Sequence, residues 1–154
     1  MMKYVFILAF LGTSLYASIK TSGIGFDYEN ATRAERVEWL EYQSDITTSN
    51  LNKALRGKHG YNTPFVVTPL SLKGEGFEGD LTSTKAMTRM DAFGERKDLL
   101  LTLCPRFQKL PIADHDRQVL LTMRNVDGLN VGRVTVSNGE CDRALAKAAQ
   151  EAGA

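Results

Sequence analysis

Acid and imidazole are most concentrated at residues 111–117, PIADHDR, where Asp114, His115 and Asp116 stand side by side. Aspartate and histidine are the side chains used for proton transfer and metal ligation. Consecutive residues of an extended chain point to opposite sides, so these three do not converge on one atom. The segment reads as a solvated corner between two strands. A zinc site would want spaced ligands, such as two histidines on one helical face. The other histidine, His59, lies in a glycine-flanked loop, and no spacing brings it to His115.

Residues 74–79, GEGFEG, carry the letters of a dinucleotide fingerprint. That motif needs a helix start against pyrophosphate, whereas DLTSTKAMT follows here, and Glu75 and Glu78 would repel phosphate. A hairpin connection is the reading. No G-x-S-x-G elbow is present, and both cysteines are expected to be bonded, so no nucleophile stands beside a base. The sequence therefore nominates no catalytic residue, no metal ligand and no cofactor.

The cysteines are Cys104 and Cys141. They lack the close Cys-x-x-Cys spacing of redox chemistry and read as one structural disulfide, contributing roughly 4 kcal/mol on the chain-entropy model. That reading depends on compartment. Residues 1–17, MMKYVFILAFLGTSLYA, have an early Lys3, an apolar run and a small-residue end, the layout of a secretory signal peptide. The run is too short for the roughly 20 residues of a membrane span. Residues 18–154 then form a single exported domain, secreted or periplasmic, where disulfides persist. Removing Lys3 leaves 18 basic against 18 acidic residues, with no basic footprint for nucleic acid or an anionic membrane surface. Asn30-Ala31-Thr32 is a glycosylation sequon, with meaning only in a eukaryotic host.

The elements that would hold such residues are legible in part. Thr32 and Glu35 form a capping box, and a helix runs from there to about Leu55, with Gly57 as a stop and a kink or restart near Ser49 as an option. Residues 64–72 and 80–90 read as strands, 91–97 as a turn, and 98–104 as a strand ended by Pro105, with a helix ending at Cys104 as the alternative. Asp127-Gly128 predicts a two-residue hairpin turn pairing Val126 with Leu129, Leu121 with Val134 and Val119 with Val136. Asn138-Gly139 turns the chain into Cys141, and DRALAKAAQEAG is a short terminal helix or a frayed tail. The fold class is α+β: a long N-terminal helix on an antiparallel sheet of about four strands, with one disulfide.

One feature of the long helix bears on function. Val37, Leu40, Leu51 and Leu55 fall on one side, and Trp39, Tyr42 and Ile46 nearly opposite. Either the helix kinks or the lead-in with Ile24 and Phe26 covers the second set, or Trp39, Tyr42 and Ile46 form an exposed partner-binding patch. The function expected is a small exported, non-enzymatic module binding another protein, of the inhibitor, immunity or envelope-accessory kind. The alternatives are a small-ligand or peptide binder with a groove between helix and sheet, and a small secreted hydrolase. The run of Cys, hairpin and Cys over 98–141 is similar to that of many small exported bacterial proteins, a likeness that implies no activity.

Overall fold

The computed structural model describes residues 25–57 and 63–153. The expected leader, Ile24 and His59 lie outside the described residues. Helix α1 (Arg33–Leu55) starts on the predicted capping box: Glu35 donates its amide to the Thr32 hydroxyl, and the Glu35 carboxylate accepts from the Thr32 amide at 2.9 Å. It runs unbroken through DITTSN, whose residues are weak helix formers. Tertiary bonds outweigh that weakness. Asn52 donates to the Val67 carbonyl at 2.8 Å and accepts the Val67 amide at 2.9 Å, and Thr48 accepts the Leu70 amide at 3.2 Å.

Strands β1 (Phe65–Val67) and β2 (Ser71–Lys73) both lie antiparallel to β3 (Gly76–Ser83). The one strand expected over 64–72 is thus two, broken at Pro69, which has no amide to give a ladder. Gly74, at φ +64°, makes the β2–β3 turn, so GEGFEG joins two antiparallel strands as a hairpin connection and its residues from Gly76 onward belong to β3. Strand β3 then pairs in parallel with β4 (Val119–Arg124), and β4 pairs antiparallel with β5 (Asn130–Val136). The five-stranded sheet is therefore mixed, in the order β1-β3-β4-β5 with β2 beside β3. A purely antiparallel sheet was expected. A parallel pair needs a crossover, and the chain between Ser83 and Val119 supplies one.

That crossover is helix α2 (Arg89–Phe107), followed by the short turn α3 (Pro111–Asp114). It replaces the turn expected at 91–97 and takes the helical alternative over the strand at 98–104, running past Cys104 to Phe107, and the strand expected to reach residue 90 ends at Ser83. Thr88 and Asp91 form a second capping box, with Thr88 amide to Asp91 at 2.8 Å. That bond and the Thr88 hydroxyl hold the Asp91 carboxyl below its usual range. Ala92, Leu99, Leu100, Leu103, Cys104 and Phe107 recur at helical spacing and are all buried. Pro105 removes one amide from the last turn, yet the fully buried Leu103, Cys104 and Phe107 carry the helix past it.

Asn138-Gly139 is the first turn of α4 (Asn138–Ala152), capped by Ser137, rather than a bend before Cys141. Cys104 and Cys141 are bonded, Cα to Cα 5.4 Å, joining α2 to α4 across 37 residues. The β4–β5 register is the predicted one from Val119↔Val136 to Met123↔Gly132, and then shifts. Asn125 accepts the amides of Asp127 and Leu129 at 3.0 Å each, and of the two turn residues only Gly128 has positive φ, +79°. The Val126–Leu129 pair is consequently not formed, and both side chains are exposed. Phe77, Leu81, Leu121, Met123 and Val134 are buried on the helix-facing side of the sheet. Glu78, Asp80, Thr122, Arg124 and Arg133 share the other side, which no helix among the described residues covers. The α+β class, the long helix on a sheet and the single disulfide are as the sequence predicts.

Candidate functional site

Two ends of the molecule compete as functional surfaces. At the first, Tyr28 of the lead-in is 2% exposed, its ring stacked on His115 with centroids 4.4 Å apart and edge-on to Trp39 at 5.4 Å. The guanidinium carbons of Arg36 and Arg117 lie 5.1 and 5.2 Å from the Tyr28 ring centroid, within the range of a cation–π attraction. Glu75 from the β2–β3 turn accepts from Arg117 at 2.7 Å, lies 3.6 Å from Arg36 and accepts the Tyr28 hydroxyl at 3.5 Å. Burial raises the Tyr28 phenol above its ordinary range. Glu75 adds to that shift, while Arg117 and Arg36 oppose it.

This end also decides PIADHDR. It lies between a helix and a strand, not between two strands, and its three residues diverge. His115 turns inward to Tyr28 and Trp39 and sits 4.0 Å from Glu29. Asp116, at φ +54°, accepts from Asn138 at 3.2 Å, and Asp114 is exposed. Beside the cluster is a cleft of about 490 Å³ lined by Lys73, Glu75, Asp116, Arg117, Gln118 and Leu120, among others. Its charges are already partnered: Arg117 with Glu75, Lys73 with Glu78 and Asp116 with Asn138. A neutral phenol inside a closed set of ion pairs offers neither a base nor a nucleophile. What the cluster does is fasten the lead-in to α1, the β2–β3 turn and the end of α3. Among the described residues, no group of three or more His, Cys, Asp or Glu side chains is placed to hold a metal ion.

The residues expected to form a binding patch separate. Trp39 is 2% exposed, stacked beneath Phe26 at 5.3 Å, so the lead-in covers it. Tyr42 is 45% exposed, and Ile46 is half-buried against the core. The space between α1 and the sheet is bridged by the Asn52 and Thr48 bonds to β1 and the Pro69–Leu70 segment.

The opposite end presents the larger apolar surface. Met90 and Phe93, one turn apart at the start of α2, are 79% and 75% exposed. At the tip of the β4–β5 hairpin, Val126 is 53% and Leu129 64% exposed. Four of the seven exposed large hydrophobic side chains among the described residues thus occur in these two segments. The segments adjoin. A cleft of about 320 Å³ runs between them, lined by Arg89, Asn130, Val131 and Gly132, and the Ala92 methyl comes within 3.7 Å of where a Gly132 side chain would begin. Sequence reading missed this surface because residues 89–97 read as a strand end and a turn rather than as the start of a helix.

Among the described residues, no helix is long and apolar enough to cross a membrane. No protein-family model matches the chain, and no curated protein sequence matches it. Among solved structures, the type II secretion system pilotin AspS from Vibrio cholerae superposes on 72% of this chain and 100% of its own, at a TM-score of 0.45 and 18% sequence identity. A likeness at that level carries no functional inference.

Proposed function

We propose that the protein is a small exported module that binds another protein and catalyses no reaction. The observation that carries this reading is the exposure of Met90 and Phe93 beside the hairpin tip with Val126 and Leu129. A helix start gains nothing for its own fold from a solvated phenylalanine, and exposed apolar side chains gathered in adjoining segments are where partners dock. Export rests on the apolar leader and on a disulfide that a reducing compartment would not maintain. An inhibitor, an immunity protein and an envelope accessory factor all fit this description.

The test immobilises the oxidised chain from Ser18 onward beside a Met90→Ser/Phe93→Ser variant and exposes both to envelope and medium extract of the source cells. A specific protein held by the wild type and retained at least tenfold less by an equally stable variant is the expected result. Equal retention by both, or no specific protein on either, would remove the reading. A Tyr42→Ser bait measures the face of α1 that carries Tyr42 and Ile46. Trp39 could contribute there only after Phe26 and Tyr28 had moved aside.

A further inference from the structure

The turn of α2 that carries the exposed apolar side chains adjoins an edge strand, on which the Gly132 amide donates to the Asn130 side chain at 3.1 Å. Among the described residues strand β5 ends the sheet, so alternate backbone groups along it face outward with no described strand beside them. On the helix side of that strand stands the first turn of α2, with Arg89 lining the cleft at Asn130–Gly132, Ala92 against Gly132, and Met90 and Phe93 exposed on the same turn. On the open side stands Arg133, exposed and opposite Thr122. Two other cations on that side are neutralised, Arg124 by Asp80 at 2.9 Å and, two strands further in, Lys73 by Glu78 at 2.7 Å. Among the described residues no carboxylate pairs with Arg133 or Arg89.

We propose that the outer edge of β5 takes up an extended segment of the partner protein as a sixth strand, with apolar side chains towards Met90 and Phe93 and acidic side chains towards Arg133. This rests on the protein-binding reading and specifies its mode. Side chains of an added strand alternate between the two faces, and here one face offers apolar contact while the other offers an unpaired cation. The same arginine disfavours a second copy of this chain. Residue 133 is the centre of β5, so two copies paired symmetrically and antiparallel would set Arg133 against Arg133, and like charges directly opposite destabilise a strand pair.

The experiment uses the oxidised, isotope-labelled chain and two capped synthetic peptides, Val-Glu and Val-Lys, each dipeptide repeated four times. Amide NMR should show the acidic peptide shifting Asn130–Val136 and Arg89–Phe93 and slowing hydrogen exchange along β5. The lysine peptide should bind at least tenfold more weakly, and Arg133→Glu should reverse that preference. Of two acidic peptides N-methylated on alternate amides, one should lose binding and the other keep it, because only one set of amides faces β5. Equal affinity for both charges, shifts confined to residues elsewhere, or no shift at millimolar peptide overturns the proposal. The two readings fail separately. A natural partner that depends on Met90 and Phe93 but leaves the β5 amides unprotected overturns edge pairing and leaves the protein-binding reading standing. A peptide bound at β5 with no partner captured from any extract does the reverse.

Discussion

Tyr28 lies between His115 and two guanidinium groups, inside a protein surface that keeps its phenol neutral. Its raised pKa has a definite sign for stability. The contribution is complete below the unfolded tyrosine value of about 10 and is lost as pH climbs through the higher folded value. Denaturant midpoints measured between about pH 8 and pH 11 should therefore fall more steeply for the wild type than for Tyr28→Phe; parallel curves would show that burial does not hold the phenol. Trp39→Ala removes a side chain enclosed by Phe26, Tyr28 and His115, and should cost about 3–5 kcal/mol in equilibrium unfolding. An unchanged midpoint would mean that Trp39 is not packed as described. This cluster was not legible in the sequence. Arg36, Glu75 and Arg117 are far apart along the chain, and only the second apolar side of α1 hinted that something must cover Trp39.

Elements were legible where local chemistry agreed with the final packing. The Thr32–Glu35 box and the Val119↔Val136 register follow from adjacent residues, and both stand. Helix α2 was masked by residues that usually interrupt helices: Gly94 near its start and Pro105 in its last turn, with an aspartate completing its capping box where a glutamate is more familiar. Gly94 is exposed, with open space where a side chain would begin and an ordinary helical φ. Gly94→Ala should therefore stabilise the protein by about 0.5–1 kcal/mol, and a loss instead would show that the space beside Gly94 is not open. Helix α4 is held differently. Cys141 is its one buried residue, with Ala144 packed against the core and Lys97 of α2 paired to Glu151. Replacing both cysteines by serine should lower stability by about 2–5 kcal/mol and let the α4 amides exchange before those of the sheet. Protection of α4 equal to that of β4 in the variant would show that the helix docks without its bond.

At the scale of the whole molecule, the sheet places β3 beside β4 although 35 residues of helix and turn separate Ser83 from Val119. No local pattern announces such a pairing, because it is chosen by burial of Phe77, Leu81, Leu121 and Met123 in the shared core once the crossover helix exists. Misreading α2 therefore turned a mixed sheet into an antiparallel one. It also hid the end of the molecule where Met90 and Phe93 meet the hairpin tip. Partner binding is predicted to respond to that end and not to the Tyr28 cluster: Phe93→Ser should weaken it while leaving the unfolding midpoint within about 0.5 kcal/mol of the wild type. The Cys104–Cys141 bond has a mechanical corollary for this exposed tip, which lies inside the span it closes. A protease that cuts between Val126 and Leu129 severs the backbone without separating the pieces. The nicked protein should migrate as one species on a gel until thiol is added, and as two fragments afterwards.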